Sequence, residues 1–167
     1  MSLFRKACDG GEMRSCNKLG LLYDSGTGLT KDAAAAVAMY RRACDGGEVA
    51  GCFSLGVKFM NGQGVAQDGA KAASLFRTAC DGSDMRGCNN LGVLYETGAG
   101  VGKDASQAVF FYRKACDGGD MVGCQYAGMM YFSGSGVKMD ASQGVLFYRR
   151  ACAGGNTAAC EKPKPSN

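Results

Sequence analysis

The chain has 167 residues, of which 46% are hydrophobic and 20% charged, and its formal net charge is +4. This composition is typical of a folded protein and excludes an intrinsically disordered chain. Histidine is absent, which excludes Ser-His-Asp and Cys-His catalysis and zinc sites made of cysteine and histidine. The basic residues are scattered, so nucleic-acid binding is not predicted, and no apolar run is long enough to span a membrane.

The sequence repeats itself every 36 residues, as the cysteines show most clearly. They form two series with this step, at positions 8, 44, 80, 116 and 152 and at positions 16, 52, 88, 124 and 160. Such a period predicts stacked two-helix repeats that cannot bury their apolar faces alone. We divide the chain into a partial helix B at 3–12, full repeats at 13–48, 49–84, 85–120 and 121–156, and a partial helix A at 157–161. These pieces together predict one domain over 3–161, followed by a disordered tail at 162–167.

Residues 12–25 of the first repeat are predicted to form its first helix, helix A. Cys16, Leu19 and Tyr23 lie on one helical stripe. Gly20 lies in the same stripe, where glycine is unfavourable by about 1 kcal/mol relative to alanine. A glycine at this position in all four repeats therefore predicts that the backbone of a neighbouring helix approaches closely.

A loop at 26–29 joins helix A to the second helix of the repeat, helix B. Asp32 is predicted to lie at the N-terminus of helix B, where its carboxylate meets the positive end of the helix dipole. Asp45-Gly46-Gly47 ends this helix, because glycine readily adopts the left-handed conformation of a C-terminal cap.

The ten cysteines form five pairs in which the two members are eight residues apart. The first cysteine of each pair ends a helix B, and the second lies one turn into the next helix A, so a local disulfide is geometrically easy. Zinc and redox motifs usually place two or a few residues between their cysteines, unlike this spacing. We therefore predict the disulfides Cys8–Cys16, Cys44–Cys52, Cys80–Cys88, Cys116–Cys124 and Cys152–Cys160. Five structural disulfides indicate an oxidising compartment.

The repeat motif resembles that of the Sel1-like repeat family, which is related to tetratricopeptide repeats. In the third repeat the motif consists of Leu91, Gly92, Tyr95, Gly98, Gly100, Val101, Asp104, Ala108, Tyr112, Ala115 and Cys116. The paired cysteines further resemble the secreted Helicobacter cysteine-rich proteins. The resemblance implies an all-α fold, a right-handed α-solenoid of helix-turn-helix repeats, with helix A of each repeat on the concave face.

The resemblance also implies a scaffold that binds a protein or peptide, and a cell-wall fragment is a further possible partner. By analogy with tetratricopeptide repeats, the variable helix-A positions would bind the partner, and no cofactor or metal is predicted. These positions are Arg14, Asn17, Phe53, Val57, Met60, Arg86, Asn89, Gln125, Met129 and Phe132. The alternative is that their apolar members only fill gaps in the packing.

An enzymatic alternative is penicillin binding or a weak β-lactamase activity, which the resemblance to the cysteine-rich proteins also implies. The familiar serine enzymes need S-x-x-K together with S-D-N and K-T-G. Only Ser15-Cys16-Asn17-Lys18 fits the first motif, and the other two are absent. We therefore expect no catalytic residue. The expected location is secreted or periplasmic, with an export signal removed upstream, and the mitochondrial intermembrane space is the alternative.

Overall fold

The computed structural model describes residues 2–161, and the predicted disordered tail at 162–167 lies outside them. Over the described residues the chain forms nine α-helices, one 3₁₀ turn and no strand, which confirms the predicted all-α class. The helices are α1 (Ser2–Asp9), α2 (Met13–Ser25), α3 (Ala33–Asp45), α4 (Val49–Asn61), α5 (Gly69–Asp81), α6 (Met85–Thr97), α7 (Ala105–Asp117), α8 (Met121–Ser133) and α9 (Ala141–Ala153), and the turn is Thr157–Ala159.

The described residues fall into two compact units, unit 1 over 2–84 and unit 2 over 85–161. In unit 1 each helix from α1 to α5 packs against the next helix along the chain. In unit 2 the helices α6 to α9 do the same, and the 3₁₀ turn packs on α9. Packing between consecutive helices is the pattern of an α-solenoid, as the 36-residue period predicts. A single domain over 3–161 stays a prediction.

Aspartates fix the starts of the helix-B elements, as the sequence predicts. Asp32 is the N-cap of α3, and its carboxylate accepts a hydrogen bond from the backbone N–H of Ala35 at 2.9 Å. Asp68, Asp104 and Asp140 cap α5, α7 and α9 in the same way. Each carboxylate satisfies an N–H group that has no partner within the helix, which stabilises a helix by about 0.5–2 kcal/mol.

The mid-helix glycines make room for an aromatic ring of helix B. A Cβ atom added at Gly20 would lie 2.6 Å from Cε1 of Tyr40, and one at Gly92 would lie 2.6 Å from Cε1 of Tyr112. Both tyrosine rings are fully buried. The prediction of a close helix backbone is therefore wrong at these two positions. The glycine is needed because a large side chain of the same repeat packs flat against helix A.

Within each unit, disulfides join the C-terminal part of a helix to the segment that follows it in the chain. The structure pairs Cys8 with Cys16, Cys44 with Cys52, Cys116 with Cys124 and Cys152 with Cys160, with Cα–Cα distances of 4.4–4.8 Å. Cys80 and Cys88 are disulfide-bonded as well, and no cysteine is free in the described chain. Closing a loop of this size stabilises the fold by about 2–3 kcal/mol in the chain-entropy model.

Candidate functional site

In unit 1 the predicted partner-binding residues lie on α2 and α4, two helices that contact each other. Arg14 is exposed on α2 and forms no ion pair or hydrogen bond within residues 2–161. Asn17 follows one turn later and is half-buried, as are Phe53, Val57 and Met60 on α4. This face therefore combines one free cation, one amide and a partly exposed apolar surface.

In unit 2 the predicted residues lie on α6 and α8. Arg86 is exposed, but Asn89 is only 9% exposed, so sequence periodicity overestimated its accessibility. Met129 is 45% exposed and Gln125 is half-buried. The Oε1 atom of Gln125 accepts a hydrogen bond from Nδ2 of Asn156 at 2.8 Å, which holds this amide in place. Each predicted residue thus lies on helix A, while its role in binding stays a prediction.

Two predicted aromatic anchors also contribute to packing. The Phe53 and Phe76 ring centroids are 5.8 Å apart, and those of Phe132 and Tyr148 are 5.6 Å apart. Phe132 also covers Gly144, where an added Cβ would lie 2.7 Å from Cδ2 of the ring. Both phenylalanines are half-buried, so each supports helix B and leaves part of its ring on the surface.

We call the sides of α2 and α4 in unit 1, and of α6 and α8 in unit 2, that carry the predicted partner-binding residues the helix-A faces. Their most unusual feature is a pair of asparagine oxygens that lack hydrogen-bond partners. The Oδ1 atoms of Asn17 and Asn89 are buried, and neither has a hydrogen-bond partner within the described residues. The two positions are equivalent, 72 residues apart, one in each unit. A buried acceptor without a partner is unfavourable by about 1–3 kcal/mol. Unsatisfied groups of this kind are uncommon in folded proteins and need a specific explanation.

A carboxylate lies two helical turns beyond each of these asparagines and accepts a hydrogen bond from a buried tyrosine. The Tyr40 hydroxyl donates to Oδ2 of Asp24 at 3.4 Å, and the Tyr112 hydroxyl donates to Oε2 of Glu96 at 2.6 Å. Burial, and then the neighbouring carboxylate, raises the pKa of both tyrosines above the usual value of 10.0. The two hydroxyls therefore stay protonated, and their hydrogen bonds hold the carboxylates of Asp24 and Glu96 in place.

Unit 1 contains a buried ion pair that the sequence did not reveal. Lys58 is 6% exposed. Its Nζ atom lies 2.5 Å from Oδ1 of Asp24 and 3.0 Å from Oε1 of Gln63. The lysine interrupts an apolar position of α4, but its partner is 34 residues earlier, and no local pattern connects them. The pair neutralises the acidic side of this face.

The S-x-x-K motif does not form a nucleophilic site. Ser15 is 4% exposed, and its hydroxyl donates a hydrogen bond to Oε2 of Glu12 at 2.7 Å. The Nζ atom of Lys18 lies over the ring of Phe4, 5.5 Å from its centroid. The lysine is thus directed to an aromatic face of α1, and the serine is inaccessible to a substrate. Among residues 2–161 no three acidic or cysteine side chains are gathered as metal ligands, and no helix is long and apolar enough to cross a membrane.

Comparison with known structures shows the same fold in other repeat proteins. A protective antigen of uropathogenic Escherichia coli with an SLR fold is 30% identical, with a TM-score of 0.89 over 93% of this chain. A Sel1 repeat protein of Oxalobacter formigenes is 32% identical, with a TM-score of 0.83 over 88% of this chain. The chain spans 33% of the first protein and 60% of the second.

A third relative is named a cysteine-rich protein, and the match covers most of its length. Cysteine-rich protein B of Helicobacter pylori is 34% identical to this chain, with a TM-score of 0.63. The match covers 78% of this chain and 93% of the Helicobacter protein, which confirms the resemblance inferred from the motif. No curated protein matches the sequence.

The sequence model of the Sel1 repeat family matches four segments, residues 14–48, 49–84, 86–120 and 123–156. These segments correspond to the four full repeats read from the 36-residue period, and they cover most of the chain. Together with the helix pairs, the mid-helix glycines and the capping aspartates, the match establishes the family. The chain belongs to the Sel1 repeat family.

Proposed function

We propose that this chain is a scaffold that binds an extended polypeptide segment on its helix-A faces, in the periplasm or outside the cell. Sel1 repeats generally serve as scaffolds for protein–protein interaction. The disulfides and the likeness to a Helicobacter cysteine-rich protein indicate an oxidising, extracytoplasmic compartment. The finer assignment to the periplasm or the medium is part of the proposal.

The unsatisfied oxygens of Asn17 and Asn89 carry this proposal. Both oxygens are buried in the free chain, so each would accept from an N–H group of a ligand after its side-chain amide rotates to expose it. An extended polypeptide offers such donors at regular intervals. The same helix positions hold Phe53 and Gln125 in the other two repeats. Three of the four equivalent positions therefore carry an amide, and the fourth carries an aromatic ring.

The apolar members of the faces supply the second element of recognition. Phe53 and Met60 lie on α4, which contacts α2, the helix that carries Asn17. Met129 is 45% exposed in unit 2. Aromatic and methionine side chains adapt to partner surfaces and often dominate binding energy. Arg14 adds a free cation at the rim of unit 1, which favours an acidic group nearby.

The proposal is tested by selecting binders from a displayed library of extended dodecamer peptides. Affinities of selected peptides are then measured calorimetrically for the parent and for Asn17→Leu and Asn89→Leu. We expect each variant to weaken binding about tenfold, since one hydrogen bond is lost and a donor of the peptide is left unpaired. The matched control is Asn90→Leu, one residue along α6, which should change the affinity less than about twofold.

A stability measurement separates this role from a structural one. Leucine at position 89 removes a buried acceptor that has no partner, so the free energy of unfolding should stay equal or rise by about 1 kcal/mol. Weaker binding by a more stable variant would support the proposal. Undiminished affinity in both asparagine variants, or a loss of stability above about 1 kcal/mol, would contradict it.

A further inference from the structure

A groove runs along α7 in unit 2, away from the predicted partner-binding residues. It has a volume of about 510 Å³, and Val109, Phe110 and Arg113 line it together with Gly136 and Val137. Gly136 lies against the carbonyl group of Ala105, so closely that a Cβ atom would overlap it. The loop between α8 and α9 therefore packs directly on the start of α7 and forms one wall of the groove. The volume falls in the range of about 300–1,000 Å³ that is usual for ligand sites.

Phe110 gives this α7 groove an apolar contact held in a fixed position. The side chain is 57% exposed, and its ring meets the Phe111 ring edge-on, with the centroids 5.1 Å apart. Phe111 is 3% exposed and stacks on Tyr95 at 5.6 Å. The exposed ring thus rests on the buried Phe111, which packs in turn on the half-buried Tyr95. An ordered aromatic side chain in a groove is typical of an anchor for a partner residue.

Arg113 gives the α7 groove an uncompensated positive charge. It lies one turn after Phe110, is exposed, and has no ion pair or hydrogen bond anywhere in residues 2–161. The acidic residue one turn further on, Asp117, is already engaged, since its Oδ1 accepts from Nη1 of Arg150 at 2.9 Å. The guanidinium is therefore available to a carboxylate of a partner, with which it can form two parallel hydrogen bonds.

Unit 1 contains an equivalent groove that lacks both features. This α3 groove has a volume of about 440 Å³ and lies 72 residues earlier, along α3. Ala38 takes the place of Phe110, and Arg41 takes the place of Arg113. Asp45 follows Arg41 by one turn and forms no ion pair with any described residue. Its carboxylate is therefore free to balance the charge of Arg41. The shape of the groove therefore follows from the repeat, whereas the aromatic ring and the net charge are specific to unit 2.

We propose that the α7 groove binds an acidic polypeptide segment that carries an aromatic or large aliphatic side chain. The apolar side chain would pack on Phe110 and Val109, and a glutamate or aspartate of the segment would pair with Arg113. The charge of Arg113, which the fold leaves unmatched, selects an acidic partner. This surface is separate from the helix-A faces, so its occupation and the binding of a peptide there can be measured independently.

The probe for this surface is a fluorescein-labelled peptide of sequence Glu-Glu-Leu-Glu-Phe-Glu-Glu, titrated with the full chain by fluorescence anisotropy. We expect saturable binding that weakens about tenfold in Phe110→Ala and in Arg113→Gln, because each change removes one of the two anchors. Arg41→Gln in the α3 groove is the matched control and should alter the affinity less than about twofold. Arg113→Glu should lose the acidic probe and bind a probe in which lysine replaces every glutamate, which shows that the variant is folded.

Three results of the titrations would overturn the proposal, and a fourth would come from sedimentation. One is equal affinity for a probe with glutamine in place of glutamate, and another is an Arg41→Gln effect as large as that of Arg113→Gln. The third is a lack of saturation up to about 1 mM chain. Sedimentation completes the test: self-association that disappears in Phe110→Ala would identify a second copy of this chain as the occupant, which also contradicts an acidic partner.

Discussion

The ion pair between Lys58 and Asp24 in unit 1 allows a test of how much a buried charge contributes to the free energy of unfolding. Lys58 is 6% exposed and bonded to Asp24, whose side chain is 28% exposed and also accepts from Tyr40. The second repeat has Met60 and Phe76 in place of Asp24 and Tyr40. The fold thus already contains an apolar version of part of this network.

The two single replacements should have unequal effects. Asp24→Met leaves the lysine charge almost fully buried, with only the Gln63 amide as a partner, so we expect a loss of about 3–5 kcal/mol in the free energy of unfolding. Lys58→Met leaves a carboxylate that water can reach in part and that Tyr40 still contacts, so the loss should be smaller, about 2–3 kcal/mol. The triple variant Asp24→Met, Tyr40→Phe, Lys58→Met leaves no unpaired group and should lie within about 1 kcal/mol of the parent.

Guanidinium unfolding followed by circular dichroism, with the disulfides intact, measures these free energies. The double variant Asp24→Met, Lys58→Met completes a cycle with the two single variants and isolates the coupling between Asp24 and Lys58, because each single change removes the same contact. Equal losses in the two single variants would refute the assignment of unequal burial. A triple variant that loses as much as the sum of the single changes would refute the pairing itself.

Three further predictions follow from individual contacts. Gly92→Ala should destabilise the chain by about 1–3 kcal/mol, because its Cβ would lie 2.6 Å from the Tyr112 ring; Gly102→Ala, in open space, is the control in the same thermal unfolding assay. Ser83→Gly should raise the free energy of unfolding by about 1 kcal/mol, since Ser83 has a φ of 69°, which strains any residue with a Cβ; an unchanged midpoint would contradict this. Burial raises the pKa of Tyr40 and Tyr112 in the folded state. The contribution of these two tyrosines to stability should therefore be constant below about pH 10 and fall above it, because the unfolded chain releases these protons first. Denaturant unfolding at pH 8 and pH 11 should show that the free energy of unfolding falls less with pH in Tyr112→Phe than in the parent. An identical fall in both would contradict a link between folding and the ionisation of Tyr112.

Most of the fold can be predicted from the sequence because the same motif occurs in four full repeats. The spacing of the cysteines gives the period, and the capping aspartate and the glycine turns mark the same boundaries in each repeat. Local physics determines these features, since a cap or a short turn depends on residues close in sequence. A repeat architecture adds little that is non-local, because within each unit the helices pack on their neighbours along the chain.

The features of the candidate sites that were not predicted depend on contacts between repeats or on small differences between them. Lys58 pairs with Asp24 on the preceding helix A. Sequence periodicity shows only that a lysine interrupts an apolar position, and it does not identify the partner. Asn89 has the spacing of a surface residue, yet the neighbouring packing leaves it 9% exposed. Arg113 has an acidic residue one turn away in sequence, but that residue pairs with Arg150 of the next repeat. Side-chain pairing across repeats decides which charges remain free, and no single-repeat pattern contains it.

The central claim is that the buried oxygens of Asn17 and Asn89 accept hydrogen bonds from a bound polypeptide. The most direct test is the ¹⁵N spectrum of the side-chain amides of the chain when it is saturated with a peptide selected from the library. We predict that the Asn17 or Asn89 side-chain signals shift and that those of Asn90 stay in place. A saturating peptide that leaves both the Asn17 and the Asn89 signals unmoved would contradict the account.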